Sequence, residues 1–124
     1  VWSSSLEAEA QSWADTCNYG HQTGQDWGEN IAARTGGLSS NQNAISLMVD
    51  QWTSESQYNI DGSFSCCGFS DYSCCHLTQV VWADTTEVGC GLAMCSTLST
   101  SSGSMSNAAY FVCYYNPRLG SDYW

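Results

Sequence analysis

The sequence predicts an α+β fold in which a central antiparallel sheet lies between helical layers. Apolar residues recur at helical spacing in residues 5–17 and 43–55, whereas residues 88–94 and 111–115 alternate with the period of a strand. The chain also has eight cysteines in 124 residues, an even number and a high density for a small domain. These observations predict a single domain with its own core, stapled by disulfides.

The first predicted helix covers residues 5–17. Ser4 and Glu7 have the spacing of a capping box, which satisfies N–H groups at the start of a helix. The apolar residues that follow are spaced for one helix face: Leu6, Ala10, Trp13, Ala14 and Cys17. We therefore expect this face to pack against the sheet.

The second predicted helix covers residues 43–55. Its apolar face comprises Ile45, Met48, Val49 and Trp52. Glu55 falls three residues after Trp52 and therefore on the same face. Because a carboxylate among apolar residues costs free energy unless it has a partner, Glu55 is a candidate site residue.

The remaining segments are assigned by local pattern. Residues 28–30, Gly-Glu-Asn, are interpreted as a turn, and residues 76–82 as a short helix before the first predicted strand. Residues 96–106, STLSTSSGSMS, are rich in serine and threonine and lie between two apolar runs. This composition predicts a long exposed hairpin loop.

The charge of the chain excludes one class of partner. There are twelve acidic residues and two arginines, Arg34 and Arg118, with no lysine, which gives a formal net charge of -10. Phosphate backbones and anionic membrane surfaces would repel such a chain, so we expect no direct nucleic-acid partner. We also expect no membrane span, and a signal peptide is not visible at Val1, so a secreted protein would have lost it before this residue.

The cysteines allow two interpretations. Disulfides are expected in an oxidising compartment, whereas close cysteine pairs also occur in zinc sites. Two of the pairs are adjacent doublets, Cys66-Cys67 and Cys74-Cys75, and adjacent thiolates suit one tetrahedral metal poorly. We therefore favour disulfides over zinc.

Four motifs carry a resemblance to a known family: CNYGH at 17–21, GENIAA at 28–33, HLTQVVW at 76–82 and FVCYYNPRLG at 111–120. HLTQVVW followed by GCGLAMC, FVCYYNPRLG and GENIAA resemble the signatures of the CAP superfamily. This family comprises the secreted domain (SCP domain) of cysteine-rich secretory proteins, insect venom allergens and plant pathogenesis-related proteins. The resemblance implies a three-layer α-β-α sandwich.

The resemblance runs from Trp2 to Asp122 but starts late. Family members usually open with an earlier helix that carries a His-Asn pair, and the sequence shows no such helix before Val1. We therefore expect one CAP domain over residues 1–124 that lacks the usual first helix.

The family also implies a disulfide framework. By analogy, Cys17 pairs with Cys95 and Cys90 pairs with Cys113. The two doublets, Cys66-Cys67 and Cys74-Cys75, then bridge each other across their loop. The pairing within the doublets stays open, because connectivity is not readable from sequence.

The resemblance further implies a cleft where two histidines and two glutamates converge. The matching residues are His21, Glu29, Glu55 and His76, and the chain has no other histidine. Imidazole nitrogens bind divalent cations, and carboxylates orient the rings or complete the shell. Two imidazoles plus water predict weak binding of Zn²⁺ or a similar ion. The alternative is that the His–Glu pairs are structural hydrogen bonds without metal or catalysis.

A second candidate site is the loop of residues 58–75. Phe64, Phe69 and Tyr72 have an aromatic spacing similar to that of a loop in sterol-binding family members. A stapled loop can display aromatic side chains as an apolar mouth. The alternative, that they pack inward beneath the loop, is slightly favoured.

Three functions remain open. We favour a secreted, extracellular binding module for a sterol, a fatty acid or a protein partner, because the resemblance implies interaction more securely than catalysis. A metal-dependent hydrolase would need metal-activated water with Glu29 or Glu55 as base, since no nucleophile elbow is present. A self-assembling component of an extracellular coat or filament is suggested by the absence of lysine and the abundance of Ser, Trp and Tyr.

Overall fold

A helix packs on each face of one antiparallel sheet in the computed structural model, which describes residues 1–68 and 70–120. The elements are α1 (Ser4–Ala14), β1 (Gly28–Arg34), α2 (Asn41–Thr53), a 3₁₀ helix (Ser54–Tyr58), α3 (Cys75–Val80), β2 (Glu87–Thr100) and β3 (Gly103–Asn116). The strands lie in the order β1-β3-β2. One core cluster joins α1 to the sheet and another joins α2 to the opposite face. The predicted three-layer α-β-α architecture is therefore confirmed.

Helix α1 begins one residue before its predicted start and ends three residues before its predicted end. Its N-cap is Ser3, whose hydroxyl accepts from the Leu6 N–H at 3.4 Å, so the expected Ser4–Glu7 capping box does not form. The Glu7 carboxylate instead accepts from the indole of Trp2. The helix ends at Ala14 and not at Cys17, because Cys17 has a φ of 51°, outside the helical region.

The face of α1 toward the sheet lies almost in backbone contact with β2. A Cβ at Gly89 would be 2.2 Å from the Glu7 nitrogen, and one at Gly91 would be 2.4 Å from the Gln11 Cα. The Gln11 amide also bonds both the C=O and the N–H of Leu92, at 2.9 and 3.0 Å. The glycines of the GCG sequence therefore allow α1 to cover the edge strand.

Helix α2 begins and ends two residues before its predicted bounds. Ser40 caps it by accepting from the Asn43 N–H at 3.0 Å, and its buried residues are Ala44, Met48 and Trp52. Glu55 lies beyond its end, in the 3₁₀ helix, so its expected place on the apolar face of α2 is wrong. A 3₁₀ helix winds more tightly than an α-helix, and Glu55 on this segment contacts His76 of α3.

Two segments predicted as turn and loop are strands. Residues 28–30 begin β1, and Glu29 is in register with Tyr114. The serine-rich segment belongs mostly to β2 and β3, which leaves only residues 101–102 between the strands. Composition is misleading here because Leu98 is fully buried within the segment and the Ser99 N–H donates to the Cys17 carbonyl at 2.9 Å.

The disulfide framework is confirmed. The bridges are Cys17–Cys95, Cys90–Cys113, Cys66–Cys74 and Cys67–Cys75. No cysteine is free, so the zinc interpretation of the cysteines is wrong. The first cysteine of one doublet pairs with the first of the other, and the second with the second. These two bridges close two overlapping loops directly before His76.

Candidate functional site

The first His–Glu pair joins the segment before β1 to β1 itself. The Nδ1 atom of His21 contacts Oε1 of Glu29, and Oε2 of Glu29 accepts from the Gln22 N–H at 3.2 Å. The Glu29 side chain is only 2% exposed, whereas that of His21 is 52% exposed. A nearly buried carboxylate thus has a partner on each oxygen, which offsets the cost of its burial.

The second pair joins the 3₁₀ helix to the start of α3. His76 Nδ1 lies 2.6 Å from Oε1 of Glu55, and Oε2 of Glu55 accepts from the Leu77 N–H at 3.0 Å. The imidazole ring stacks on Trp52, with centroids 6.1 Å apart and planes 7° from parallel. One side of the ring is thereby fixed against the core.

The two pairs share one hydrogen-bonding pattern. In each, a single carboxylate contacts Nδ1 of a histidine and the backbone N–H of the next residue. A carboxylate at Nδ1 favours the tautomer with its proton there, which makes Nε2 the nitrogen with the lone pair for a metal ion. Each pair therefore orients its histidine as a metal ligand would be oriented.

Strand alternation places the supports of the two pairs on opposite faces of the sheet. On the face of α1, the Tyr114 hydroxyl donates to Oε1 of Gln22, the residue after His21. On the face of α2, Nδ2 of Asn30 donates to the His76 carbonyl at 3.0 Å and to the Tyr115 hydroxyl at 3.3 Å. Adjacent residues of β3 thus support different histidines.

Burial keeps both tyrosines protonated. Desolvation, reinforced by the negative charge of Glu29, raises the pKa of Tyr114 far above its usual value. Desolvation also raises the pKa of Tyr115 to about 12, although its hydrogen bond with Asn30 acts in the lowering direction. Both phenols are therefore neutral at physiological pH and hold their hydrogen bonds there.

A cavity of about 240 Å³ opens beside the first pair. His21 and Glu29 lie on its wall together with Gln22, Trp27 and Arg118. His76 and Glu55 do not line it. The described wall of this cavity thus includes the first pair and not the second.

The structure arranges the four tetrad residues as two pairs and not as one cluster. Within residues 1–68 and 70–120, no three or more His, Cys, Asp or Glu side chains form a group that could hold a metal ion. The donor chemistry fits a divalent cation only through the two imidazoles, with the glutamates orienting the rings and water completing the shell.

The aromatic residues of the second candidate site differ in exposure. Tyr72 is 63% exposed, whereas Phe64 is partly buried and lines a cavity of about 260 Å³ with Val81 and Trp82. Phe69 lies outside the described residues. Of the two described side chains, one is therefore exposed and the other is half-buried at a cavity.

Sequence patterns do not identify the residues that support the two pairs. Asn30, Tyr114 and Tyr115 all lie inside the family motifs, but the motif letters give them no role. Only strand register and the side-chain hydrogen bonds show which histidine each one supports. Arg118 also lies in a motif, and its place on the cavity wall was not foreseen.

None of the described helices is both long and apolar enough to cross a membrane.

The family model of the cysteine-rich secretory protein family, CAP, matches residues 1–115. The chain is 39% identical over 121 residues to a probable pathogenesis-related protein of Arthroderma benhamiae, covering 94% of this chain and 38% of that protein. It is 41% identical over 97 residues to venom allergen 5 of Vespula maculifrons, covering 73% of this chain and 46% of that protein. The chain therefore spans less than half the length of either relative.

Solved structures show the same fold. The crystal structure of NaASP2 with Zn²⁺ aligns with a TM-score of 0.73 at 24% identity, covering all of this chain and 64% of that one. The structure of BmVAL-1 aligns with a TM-score of 0.66 at 27% identity, covering 95% of this chain and 58% of that one. With the family model matched over residues 1–115 and the expected layers and disulfides present, the chain belongs to the cysteine-rich secretory protein (CAP) family.

Proposed function

We propose that this chain is a secreted, extracellular binding module of the CAP family, with a His/Glu cleft that binds a divalent cation. Four disulfides in so short a chain support an oxidising compartment. The description of the matched family as secretory supports the same location. We further propose that residues 1–124 act as one domain, so the activity of a longer protein would build on this module.

The observation that carries the cation proposal is the repeated geometry of the two pairs. Both carboxylates contact Nδ1 and both hold the following backbone N–H. Histidine ligands in metal sites commonly have such a carboxylate behind the ring, because it fixes the ring orientation and raises the basicity of the other nitrogen. Zn²⁺ or a similar ion suits two imidazoles, and such a site binds weakly because water supplies the remaining ligands.

NaASP2 was crystallised with Zn²⁺, but at 24% identity the likeness shows only that the two chains share a fold. The proposal therefore depends on His21 and His76 themselves. A bound Zn²⁺ would supply Lewis acidity at its open positions. No observation in the described part of the chain favours a hydrolase or a coat component over a binding module.

Calorimetric titration with Zn²⁺ tests the cation site. His21→Ala and His76→Ala should each weaken binding by more than a hundredfold or so, whereas Glu29→Gln and Glu55→Gln should weaken it by about 10–100-fold, since the glutamates act through the rings. Glu9→Gln, an exposed change on α1, is the control for the acidic surface. Affinity should also fall at acid pH as the imidazoles take up protons. Unchanged binding in both histidine variants would place the cation elsewhere.

We propose the loop before α3 as the surface for an apolar ligand such as a sterol or fatty acid, or for a protein partner. Exposed Tyr72 and the cavity beside Phe64 support this assignment. Tyr72→Ser should reduce uptake of a fluorescent fatty acid and leave the melting temperature nearly unchanged, because an exposed side chain contributes little to the core. Met94→Ser, at an exposed apolar residue of β2 outside this loop, is the control. Uptake equal to wild type in Tyr72→Ser and Phe64→Ser would exclude this loop.

A further inference from the structure

The wall of the cavity beside His21 carries an arginine that has no carboxylate partner within residues 1–68 and 70–120. Arg118, one of two arginines in a chain of net charge -10, lies on the cavity wall. The ion pairs among the described residues are the two His–Glu contacts, and neither involves Arg118. Arg118 is also only partly exposed. A guanidinium that none of the described carboxylates engages can offer its N–H donors to a ligand.

The segment that carries Arg118 lies close to the start of β1 and is held by hydrogen bonds to α3 and to the residues before β2. The Leu119 N–H donates to Oε1 of Gln79 at 3.2 Å, and the Thr85 hydroxyl donates to the Pro117 carbonyl at 2.7 Å. Leu119 is fully buried. The arginine therefore projects from a backbone held on both sides, which lowers the entropy lost when it binds a ligand.

Gly28, at the start of β1, makes this close approach possible. A Cβ there would lie 2.0 Å from Oε1 of Gln79 and 3.1 Å from the Cβ of Arg118. Only glycine leaves room for both side chains. The first residue of the GENIAA motif thus has a steric role in placing Arg118 beside the cavity.

The other groups of the wall also suit an oxyanion. The indole N–H of Trp27 is buried and has no acceptor within residues 1–68 and 70–120, which is costly unless a ligand or water supplies one. Glu29 is the one carboxylate on the wall among the residues that the structure describes, but His21 and the Gln22 N–H already engage both its oxygens. Its charge therefore opposes an incoming anion less than that of an unpaired carboxylate would.

We propose that this cavity binds the carboxylate of a small organic ligand through Arg118, beside the imidazole of His21. A chain of net charge -10 repels anions at long range. A carboxylate would therefore bind here only through direct local contacts. The cavity, at about 240 Å³, admits a small ring or short acyl group and not a large one. The assignment uses the cleft of the proposed function but requires no metal ion.

Nuclear magnetic resonance titration with benzoate, in the presence of EDTA, tests the assignment. The chelator removes metal-mediated binding, so this result is independent of whether the proposed cation site exists. Benzoate should shift the Trp27 indole N–H signal, and benzamide, its neutral analogue, should bind at least about tenfold more weakly because it cannot form a charge-assisted pair with the guanidinium.

Two arginine variants make the test specific. Arg118→Gln should raise the benzoate Kd at least about tenfold, whereas Arg34→Gln, which removes the same charge outside this cavity, should leave it unchanged. Arg118→Lys, which keeps the charge but loses the forked donor geometry, should give an intermediate Kd and guards against misfolding of the glutamine variant. Equal benzoate affinity in wild type and a folded Arg118→Gln, equal loss in Arg34→Gln, or no binding up to about 10 mM would overturn the proposal.

Discussion

His76 and His21 each contact a glutamate through Nδ1, but the structures that support them are very different. His76 begins a helix, stacks on the buried ring of Trp52 and has its carbonyl held by Asn30. His21 lies in a segment without helix or strand, and its side chain is more exposed, at 52% against 37%. The same contact between a carboxylate and Nδ1 therefore forms on two unrelated local structures. In each case the carboxylate comes from a regular element, β1 for Glu29 and the 3₁₀ helix for Glu55.

In both pairs the glutamate is more buried than the histidine, and on the face of α2 a core ring also holds the imidazole. There Glu55 is 15% exposed and His76 is 37% exposed, and the His76 ring stacks on Trp52. On the face of α1, the core holds the glutamate, at 2% exposed, and the histidine lies at the rim. We expect changes in the core of the α2 face to disturb His76 while His21 keeps its environment.

The largest expected effect comes from Trp52→Ala. Trp52 is 2% exposed and stacks on Phe111 as well as His76, so the substitution should cost about 3–5 kcal/mol of the free energy of unfolding, as for other large core residues. Urea unfolding measures the loss, and proton resonances of the imidazoles should shift for His76 only. Ile60→Ala, at a residue 93% exposed, is the control. A shift of the His21 resonances of equal size would show that the pairs are not independent.

A smaller effect is expected from removing the Cys67–Cys75 disulfide. Replacing both cysteines with alanine opens one of two overlapping loops, and Cys66–Cys74 still closes the other, so the loss should be at most about 2 kcal/mol. Cys75 directly precedes His76, so loss of this bridge should loosen the position of the histidine. The affinity for Zn²⁺ should therefore fall by a larger factor than the small loss of stability alone would predict. Parallel melting curves and Zn²⁺ titrations would check this, and unchanged affinity would show that the helix alone positions His76.

The smallest effects concern the two tyrosines at high pH. Both have a pKa in the folded protein above the ordinary value near 10, so the folded state keeps their protons longer than the unfolded chain does. Their contribution to stability is therefore full below about pH 10 and is lost as the pH rises above it, through about 12 for Tyr115. Tyr114→Phe and Tyr115→Phe should each cost about 1 kcal/mol at neutral pH.

Urea unfolding at about pH 8 and about pH 11 tests this pH dependence. Each phenylalanine variant should lose less stability between the two pH values than wild type, because one ionisable phenol has been removed. Tyr58→Phe, at an exposed tyrosine, should follow wild type. A variant as sensitive to alkali as wild type would mean that the tyrosine in question does not resist ionisation.

Sequence patterns predicted the elements well where one face of an element is apolar. The helical spacing of Leu6, Ala10 and Ala14 predicted α1, and alternation predicted β2 and β3. The patterns failed where a long-range contact decides the structure. The serine-rich hairpin is an example, since its strands are held by a buried leucine and by backbone bonds to residues 17–19 that its composition does not reveal.

The sequence by itself determined the class of fold and the family, because these follow from local spacing and from motif letters. Through the family resemblance it also implied the disulfides between segments and named the four candidate tetrad residues. Only the tertiary structure decided that the tetrad forms two pairs, that Glu55 lies on a 3₁₀ helix, and that Arg118 lies beside His21. These features depend on strand register and on side chains distant in the chain, such as Glu29 with Tyr114. Register is set by packing of the whole sheet between its helices, and no single segment encodes it.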